Sequence, residues 1–281
     1  MDFTPDLRRL KPWSSMKDSL WRQPYLIELT YADNFRLVTD SIRGRNLRIL
    51  EVGCGTGFMS LELARMGHDV VGIDSNQKII RIARRTMETD PYSKTRGDLR
   101  YEVADFNKWS DFPGTYDVVL FSRVLHDLPH PRRILSKAHH LLKNRGRVVC
   151  LEYAYDRTDR RAATWLYQIQ RALELTGWYS SHLPKNPIEG VDSILNENLY
   201  GRKEYINKFE EMRHPLEQLF RKEHFSWHCY YCWGVFLKMR IPDRNKEKEL
   251  ASLFRGMEQL LIDSGEITPV LFHFVGTKTS A

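Results

Sequence analysis

Cysteine is scarce in this chain, with four residues among 281. A disulfide-rich secreted scaffold needs far more cysteine, so that class of protein is excluded. Long apolar runs are also missing: the longest resemble Val118–Phe121, well short of the roughly 18 residues that span a bilayer. The first residues lack the basic and apolar regions of a secretory signal peptide. We therefore expect a cytoplasmic protein that has no membrane partner.

Several enzyme and metal signatures are absent as well. There is no Walker-type phosphate loop, no His-Glu-x-x-His and no Gly-x-Ser-x-Gly, which argues against a nucleotidase, a metalloprotease and a serine hydrolase. Cys229 and Cys232 form one Cys-x-x-Cys without a second pair, and we predict a long strand over Phe225–Met239. Side chains at these two positions of a strand point to opposite faces, so no metal site is predicted.

Charge of a single sign is not dominant. Lys and Arg number 43 against 36 Asp and Glu, a net +7, and the two signs interleave over most of the chain. Only residues 123–147 are strongly basic, with Asp127 as the one acid, and a solvated helix face explains that stretch better than a nucleic-acid groove. The hydrophobic content of 42% with 12% aromatics excludes a disordered chain.

The hydrophobic pattern predicts an α/β fold. Apolar residues recur at three- and four-residue steps from Leu26 to Ile42, which indicates an amphipathic helix. Short apolar strands and helices then alternate from residue 46 to residue 156, as in a parallel sheet covered on both faces. Residues 157–223 are mostly helical, and a helix and a last strand, Ile267–Val275, follow.

The strongest motif is a glycine cluster directly after the first strand. Glu51 is followed by Gly53, Gly55 and Gly57, and a helix begins next. Alternate glycines let the backbone turn sharply and approach a ligand, and the helix presents free N–H groups to an anion. Phe58 stands where the dinucleotide fingerprint requires a glycine, so the spacing is not that of a dinucleotide-binding loop.

Two acids follow the next two strands. Asp74 ends the second strand, 21 residues after Gly53, where a carboxylate can accept both ribose hydroxyls. Asp105 and Phe106 follow the third strand, where they suit an amine edge and a flat ring. Simpler roles stay open, because Asp74 could cap a helix and Asp105 could cap a turn.

These segments together resemble class I S-adenosylmethionine-dependent methyltransferases. The likeness rests on Glu51–Gly57, Asp74, Ala104–Phe106 and Phe121–Leu128; it covers residues 46–153 well and residues 225–278 more weakly. It implies a Rossmann-like, doubly wound, seven-stranded sheet with its last strand antiparallel, and S-adenosylmethionine as cofactor. The cofactor-binding residues that it implies are Glu51, Gly53, Cys54, Gly55, Gly57, Asp74, Ser75, Asp105, Phe106 and Ser122. Four regions follow: an N-terminal helical lid (1–45), the cofactor-binding half (46–156), a helical insert serving as substrate lid (157–223) and the C-terminal part of the core (224–281).

A histidine and a glutamate are the candidate catalytic residues. His126 follows the fourth strand and Glu152 ends the fifth, so adjacent parallel strands deliver both to one edge. The surrounding segments resemble those that supply a catalytic histidine and an orienting glutamate in aromatic O-methyltransferases. A neutral imidazole held by a carboxylate is a suitable base. A cofactor contact or a structural role for His126, and a salt bridge for Glu152, remain alternatives.

Aromatic residues in the lid segments predict a small, aromatic or apolar acceptor. Such side chains combine apolar bodies with polar tips, as small-molecule sites do, although core packing is the alternative for each. Candidate substrate-binding residues are Tyr25, Tyr31, Arg123, Trp165 and Tyr200. Arg123 could instead pair with Asp127 or Glu152. We expect O-methylation, with N- or C-methylation open, by a monomer or homodimer; the other hypotheses are an RNA or protein methyltransferase and a non-catalytic scaffold.

Overall fold

The computed structural model describes residues 6–10, 18–199 and 207–279. Within them a seven-stranded sheet has the order β3-β2-β1-β4-β5-β7-β6. Its strands are β1 (Arg48–Val52), β2 (Asp69–Asp74), β3 (Leu99–Val103), β4 (Tyr116–Ser122), β5 (Leu142–Tyr153), β6 (Phe220–His228) and β7 (Leu271–Lys278). The first five strands pair in parallel, and β7 runs antiparallel to its neighbours β5 and β6. The predicted fold class, with its antiparallel last strand, is therefore confirmed.

Helices cover the two faces of this sheet and build a separate cluster. They are α1 (Pro24–Ile27), α2 (Asp33–Ser41), α3 (Phe58–Arg65), α4 (Gln77–Glu88), α5 (Pro131–Leu141), α6 (Arg160–Leu175), α7 (Pro187–Leu199), α8 (Phe209–Leu219), α9 (Tyr231–Lys238) and α10 (Arg244–Asp263). A π-helical segment, Glu28–Ala32, joins α1 to α2, so the predicted N-terminal helix is present with an altered pitch in its middle. No helix in the described part of the chain is both long and apolar enough to cross a bilayer.

The strand residues contribute alternately to two hydrophobic cores, because successive side chains point to opposite faces of a sheet. Leu50 and Val119 pack with α5 and α8 on one face, while Ile49 and Val118 pack with α2 and α3 on the other. This double burial explains why the central strands are almost entirely apolar. The predicted parallel core thus follows directly from the strand sequences.

The region between β5 and β7 departs from the expected pattern in two ways. The predicted strand Phe225–Met239 is wrong, because β6 ends at His228 and Tyr231–Lys238 forms α9. A short apolar run fits a buried strand and a buried helix equally well, so periodicity could not separate them. Within the predicted insert, α6 and α7 join a helical cluster with α9 and α10, whereas α8 packs against the sheet with α5.

Candidate active site

The glycine turn after β1 has the backbone geometry that its sequence predicts. Gly53, Gly55 and Gly57 have φ angles of +69°, +56° and +80°, in the left-handed region that favours glycine. A Cβ on Gly53 would lie 2.3 Å from Val124 Cγ2, and one on Gly57 would lie 2.5 Å from the Tyr101 ring. A Cβ on Gly55 would instead project into open space. Packing therefore requires the outer two glycines, and the middle one leaves room for a ligand.

The acids after β2 and β3 lie beside this turn. Asp74 accepts hydrogen bonds from the Gly55 N–H at 3.1 Å and the Asn76 N–H at 2.8 Å, so it both shapes the glycine turn and caps the chain before α4. Asp105 accepts from the Asn107 N–H at 2.9 Å, which is the turn-capping role. Each carboxylate retains lone pairs for a ligand, because two oxygens offer about four acceptor sites.

Two adjoining cavities open at the carboxyl ends of the strands and share Gly53. The main cavity has a volume of about 520 Å³, and the side hollow has about 80 Å³. Among the predicted cofactor residues, those lining the main cavity are Glu51, Gly53, Cys54, Gly55 and Ser122. Those lining the side hollow are Gly53, Asp74, Ser75, Asp105 and Phe106. Gly57 shapes the turn without lining either one. The tertiary structure thus brings residues from four strand ends into two neighbouring cavities that share one lining residue.

Glu51 is a buried carboxyl group on the wall of the main cavity. Its side chain accepts a hydrogen bond from the Ser60 hydroxyl of α3. Burial raises the pKa of Glu51 to about 7, and the hydrogen bond from Ser60 and the charge of Arg123 only partly oppose this shift. The neighbouring Cys54 is buried, which raises the pKa of its thiol and keeps it unreactive.

His126 and Glu152 meet as the strand order predicts. His126 Nδ1 lies 2.8 Å from Glu152 Oε2, and Glu152 Oε1 accepts from the Val124 and Leu125 N–H groups at 2.7 Å each. These three hydrogen bonds fix the carboxylate and the ring in one orientation. The imidazole also packs edge-on against the rings of Tyr153 and Tyr155.

The protonation of His126 differs from the neutral ring that the sequence suggests. Burial opposes the charged form, but the hydrogen bonds to Asp127 and Glu152 outweigh it and raise the pKa of His126 to about 9. The other ring nitrogen, Nε2, is shielded from solvent and lies 3.3 Å from Asp127 Oδ2. At neutral pH the ring is consequently an imidazolium held between two carboxylates.

Arg123 projects into the main cavity between aromatic side chains. Its guanidinium carbon lies 5.7 Å from the ring centre of Tyr31 and 5.6 Å from that of Trp233, and it hydrogen-bonds Tyr153. Distances below about 6 Å to a ring centre are typical of cation–π contacts. The backbone of Arg123 has a φ of +60°, which turns the chain at the end of β4. The side chain therefore places a positive charge in an aromatic enclosure.

Of the aromatic residues predicted to bind the acceptor, only some line the main cavity in the described part of the chain. Tyr31 lines the main cavity, but Tyr25 donates its hydroxyl hydrogen bond to Glu247, and Trp165 packs in the helical cluster. Tyr200 lies outside the described residues. The aromatic residues that line the cavity are Trp21, Tyr31, Phe58, Tyr153, Tyr155, Tyr230 and Trp233. Tyr153 and Tyr155 lie within three residues after the candidate residue Glu152, and this closeness in the sequence could have identified them. Tyr230 and Trp233 lie in the stretch that was wrongly predicted to be a strand.

Comparisons with known proteins agree with this geometry. A family model described as a methyltransferase domain matches residues 25–183. A ubiquinone biosynthesis O-methyltransferase of Cereibacter sphaeroides is 30% identical over 192 residues, which is 68% of this chain and 71% of that protein. The mitochondrial enzyme of the same name from Schizosaccharomyces pombe is 31% identical over 128 residues, covering 44% of this chain and 46% of that protein. The chain spans only about half the length of several other curated relatives that it matches.

A solved structure shows the same fold over most of the chain. It is a SAM-dependent methyltransferase of Methanosarcina mazei, with a TM-score of 0.52 and 20% sequence identity. The match covers 87% of this chain and 98% of that one. At this identity the likeness establishes the architecture alone.

Proposed function

Because the chain belongs to the S-adenosylmethionine-dependent methyltransferases, we propose that it transfers a methyl group to an oxygen atom of a small, aromatic or apolar molecule. The observation that carries this proposal is the continuity of the main cavity. One end lies at the glycine turn and the other is enclosed by aromatic rings. Such a cavity suits a donor and a small acceptor lying side by side.

The residues of the cleft fit S-adenosylmethionine. Gly55 leaves open the space that a Cβ would fill, and α3 begins directly after the glycine turn without a side-chain cap. Gly53 and Gly55 would hold the methionine part with Glu51, Cys54 and Ser122, while Gly57 would act only by shaping the turn. Asp74 with Ser75 would hold the ribose, and Asp105 with Phe106 the adenine. When bound, the cofactor supplies an electrophilic methyl group on a sulfonium centre.

The protein's own contribution is alignment of the acceptor and handling of its proton. The aromatic walls exclude water and orient a flat acceptor, which lowers the entropic cost of the reaction. We assign His126 as the base for a hydroxyl acceptor and Glu152 as the residue that orients its ring. For this role Nε2 must exchange Asp127, whose side chain is half exposed, for the acceptor hydroxyl.

The aromatic lining of the main cavity favours a small molecule over RNA or protein. A polymer requires an open groove, whereas aromatic side chains from the N-terminal segment, β5 and α9 surround this space. A non-catalytic scaffold would need neither the glycine turn nor the acids beside it. A cytoplasmic monomer or homodimer is also part of the proposal. The relative from Schizosaccharomyces pombe, by contrast, is named as a mitochondrial enzyme.

Cofactor binding is tested by calorimetry with S-adenosylhomocysteine. Asp74→Ala should weaken binding by about tenfold or more, because it removes a charged acceptor and loosens the Gly55 turn. Asp69→Ala is the matched control, since Asp69 begins the same strand at the opposite edge and is exposed. If Asp74→Ala binds as tightly as the control, the assigned cofactor site is wrong.

Acceptor class is tested with methyl-labelled S-adenosylmethionine. Transfer should occur to members of a panel of hydroxylated aromatic compounds, and RNA and cell protein should stay unlabelled. Labelled RNA or protein, with none of the small compounds modified, would contradict the proposed function.

A further inference from the structure

Arg123 is a cation in the main cavity for which the described residues provide no ion-pair partner. The residue is partly buried, and its guanidinium hydrogen-bonds the Tyr153 side chain. The partners expected from the sequence, Asp127 and Glu152, instead lie against His126. Among residues 6–10, 18–199 and 207–279, no carboxylate approaches the guanidinium within ion-pair distance, although many other arginines there are paired.

The carboxylates nearest to Arg123 are already engaged. Glu152 uses one oxygen for two backbone N–H groups and the other for His126. Glu51 accepts from Ser60, and burial raises its pKa to about 7, so near neutral pH it carries only part of a negative charge. In the described part of the chain, neither carboxylate therefore forms an ion pair with the guanidinium.

An enclosed charge without a counter-ion is unfavourable, and a ligand that brings the opposite charge removes the penalty. A guanidinium binds a carboxylate through two parallel N–H···O bonds, and its fixed fork selects that group over a neutral amide. The flanking rings of Tyr31 and Trp233 hold the fork in place and leave a flat, apolar surface beside it. The same positive charge repels cationic amines.

We propose that Arg123 binds an acid group of the methyl acceptor, so that the substrates of this enzyme are small aromatic acids. This inference rests on the proposed function, because it names the acceptor of the same cavity. The competing occupant is the carboxylate of the cofactor's own methionine part, since the glycine turn also lines this cavity.

Binding of matched acids and amides tests the inference directly. The probes are benzoate, 4-hydroxybenzoate and cinnamate, each against its amide, titrated into the complex with S-adenosylhomocysteine at neutral pH. The wild-type protein should prefer at least one acid to its amide by about tenfold or more. Arg123→Met should abolish the preference, and Arg123→Lys should retain part of it because the charge remains without the fork.

Arg157→Met is the matched control. The Arg157 guanidinium also lies on two rings, 5.1 Å from Phe209 and 4.7 Å from Trp227, but outside the main cavity. This variant should keep the acid preference, so any loss in Arg123→Met cannot be ascribed to removal of an aromatic-packed arginine alone.

A comparison of S-adenosylhomocysteine with 5′-methylthioadenosine, which lacks the amino-acid part, distinguishes the two occupants. Under the proposal, Arg123→Met binds both nucleosides as the wild type does. A selective loss of S-adenosylhomocysteine affinity would assign Arg123 to the cofactor and overturn the inference. Equal binding of acids and amides, or no binding of any acid, would also overturn it. In either case intact S-adenosylhomocysteine binding by the wild type would leave the proposed function standing.

Discussion

His126 Nδ1 lies 2.8 Å from Glu152 Oε2, inside the protein and at the carboxyl ends of two neighbouring parallel strands. The carboxylate orients the ring, and together with Asp127 it also stabilises the protonated imidazole. The contact that orients the proposed base thus also raises its pKa, so that the neutral, proton-accepting ring predominates only at alkaline pH. This relationship sets the pH dependence expected of the enzyme.

Turnover of a hydroxyl acceptor should rise with pH. Only the neutral imidazole accepts a proton, and the pKa of His126 is about 9, so kcat/KM should increase up to about pH 9 and then level off. His126→Ala should lower kcat by roughly 10²–10⁴-fold and remove this limb, with little change in S-adenosylhomocysteine affinity. A pH profile is the measurement, with the exposed His140→Gln as control. The same alkaline limb in His126→Ala would exclude His126 as the base.

The glycine turn should respond differently at its two positions. Gly53→Ala and Gly55→Ala each place a Cβ on a left-handed residue, a strain of roughly 1–2 kcal/mol. Only Gly53→Ala also clashes with Val124, which adds about 1–3 kcal/mol. Urea unfolding should therefore show the greater loss of stability for Gly53→Ala.

Cofactor affinity should show the importance of the open space at Gly55. The new methyl group of Gly55→Ala enters the main cavity, so S-adenosylhomocysteine should bind about tenfold or more weakly while the fold persists. Wild-type affinity in a folded Gly55→Ala variant would show that the ligand does not approach this residue.

Glu258 should stabilise the start of α9, which carries aromatic residues of the main cavity. Its fully buried carboxylate accepts from the N–H groups of Tyr230, Tyr231 and Cys232 at the start of α9. Glu258→Ala leaves these donors unsatisfied and should cost about 2–4 kcal/mol in urea unfolding, while Glu258→Gln should cost less. The exposed Glu249→Ala on the same helix is the control. If Glu258→Ala is as stable as Glu249→Ala, the capping role is wrong.

The pKa of His273 should make the fold sensitive to acid. Burial, with smaller effects from His224 and His228, lowers this pKa to about 3. The ring bonds Ser41 on α2, and the charged groups Asp40, Arg43 and Glu223 border the same pocket. Because the pKa falls from 6.5 on folding, the neutral ring's contribution to stability is complete above pH 6.5 and decreases as pH falls towards 3.

Unfolding at two pH values measures this effect. Between pH 7.5 and pH 5 the wild type should lose about 2 kcal/mol through His273, and His273→Gln should lose correspondingly less. His140→Gln, at an exposed position, should behave as the wild type. An equal pH dependence in His273→Gln would show that the ring is not held neutral.

The sequence could predict the core and the cofactor side of the site because both are local in the chain. The glycine turn comes just after β1, Asp74 ends β2, and Asp105 comes just after β3. Parallel strands bring their carboxyl ends to one edge of the sheet. His126 and Glu152 could be paired by the same reasoning. The pKa of His126 could not be predicted, because it depends on burial and on the side-chain contacts that the folded chain makes with Asp127 and Glu152.

The aromatic residues that line the main cavity could be predicted only in part from the sequence. Trp233 lies in an apolar stretch that fits a helix or a strand, and only packing against α10 selected the helix. Tyr25 and Trp165 share the composition of a cavity wall, yet they lie away from the main cavity. Aromatic content alone does not distinguish a lining residue from a packed one.

The sequence by itself determined the sheet, the glycine turn and the acids beside it, because strand periodicity and backbone freedom are encoded residue by residue. Tertiary structure alone decided that Arg123 has no ion-pair partner among the described residues, that the pKa of His126 is raised and that α9 contributes to the cavity wall. These depend on distances between segments far apart in the chain and on the exclusion of water from between them.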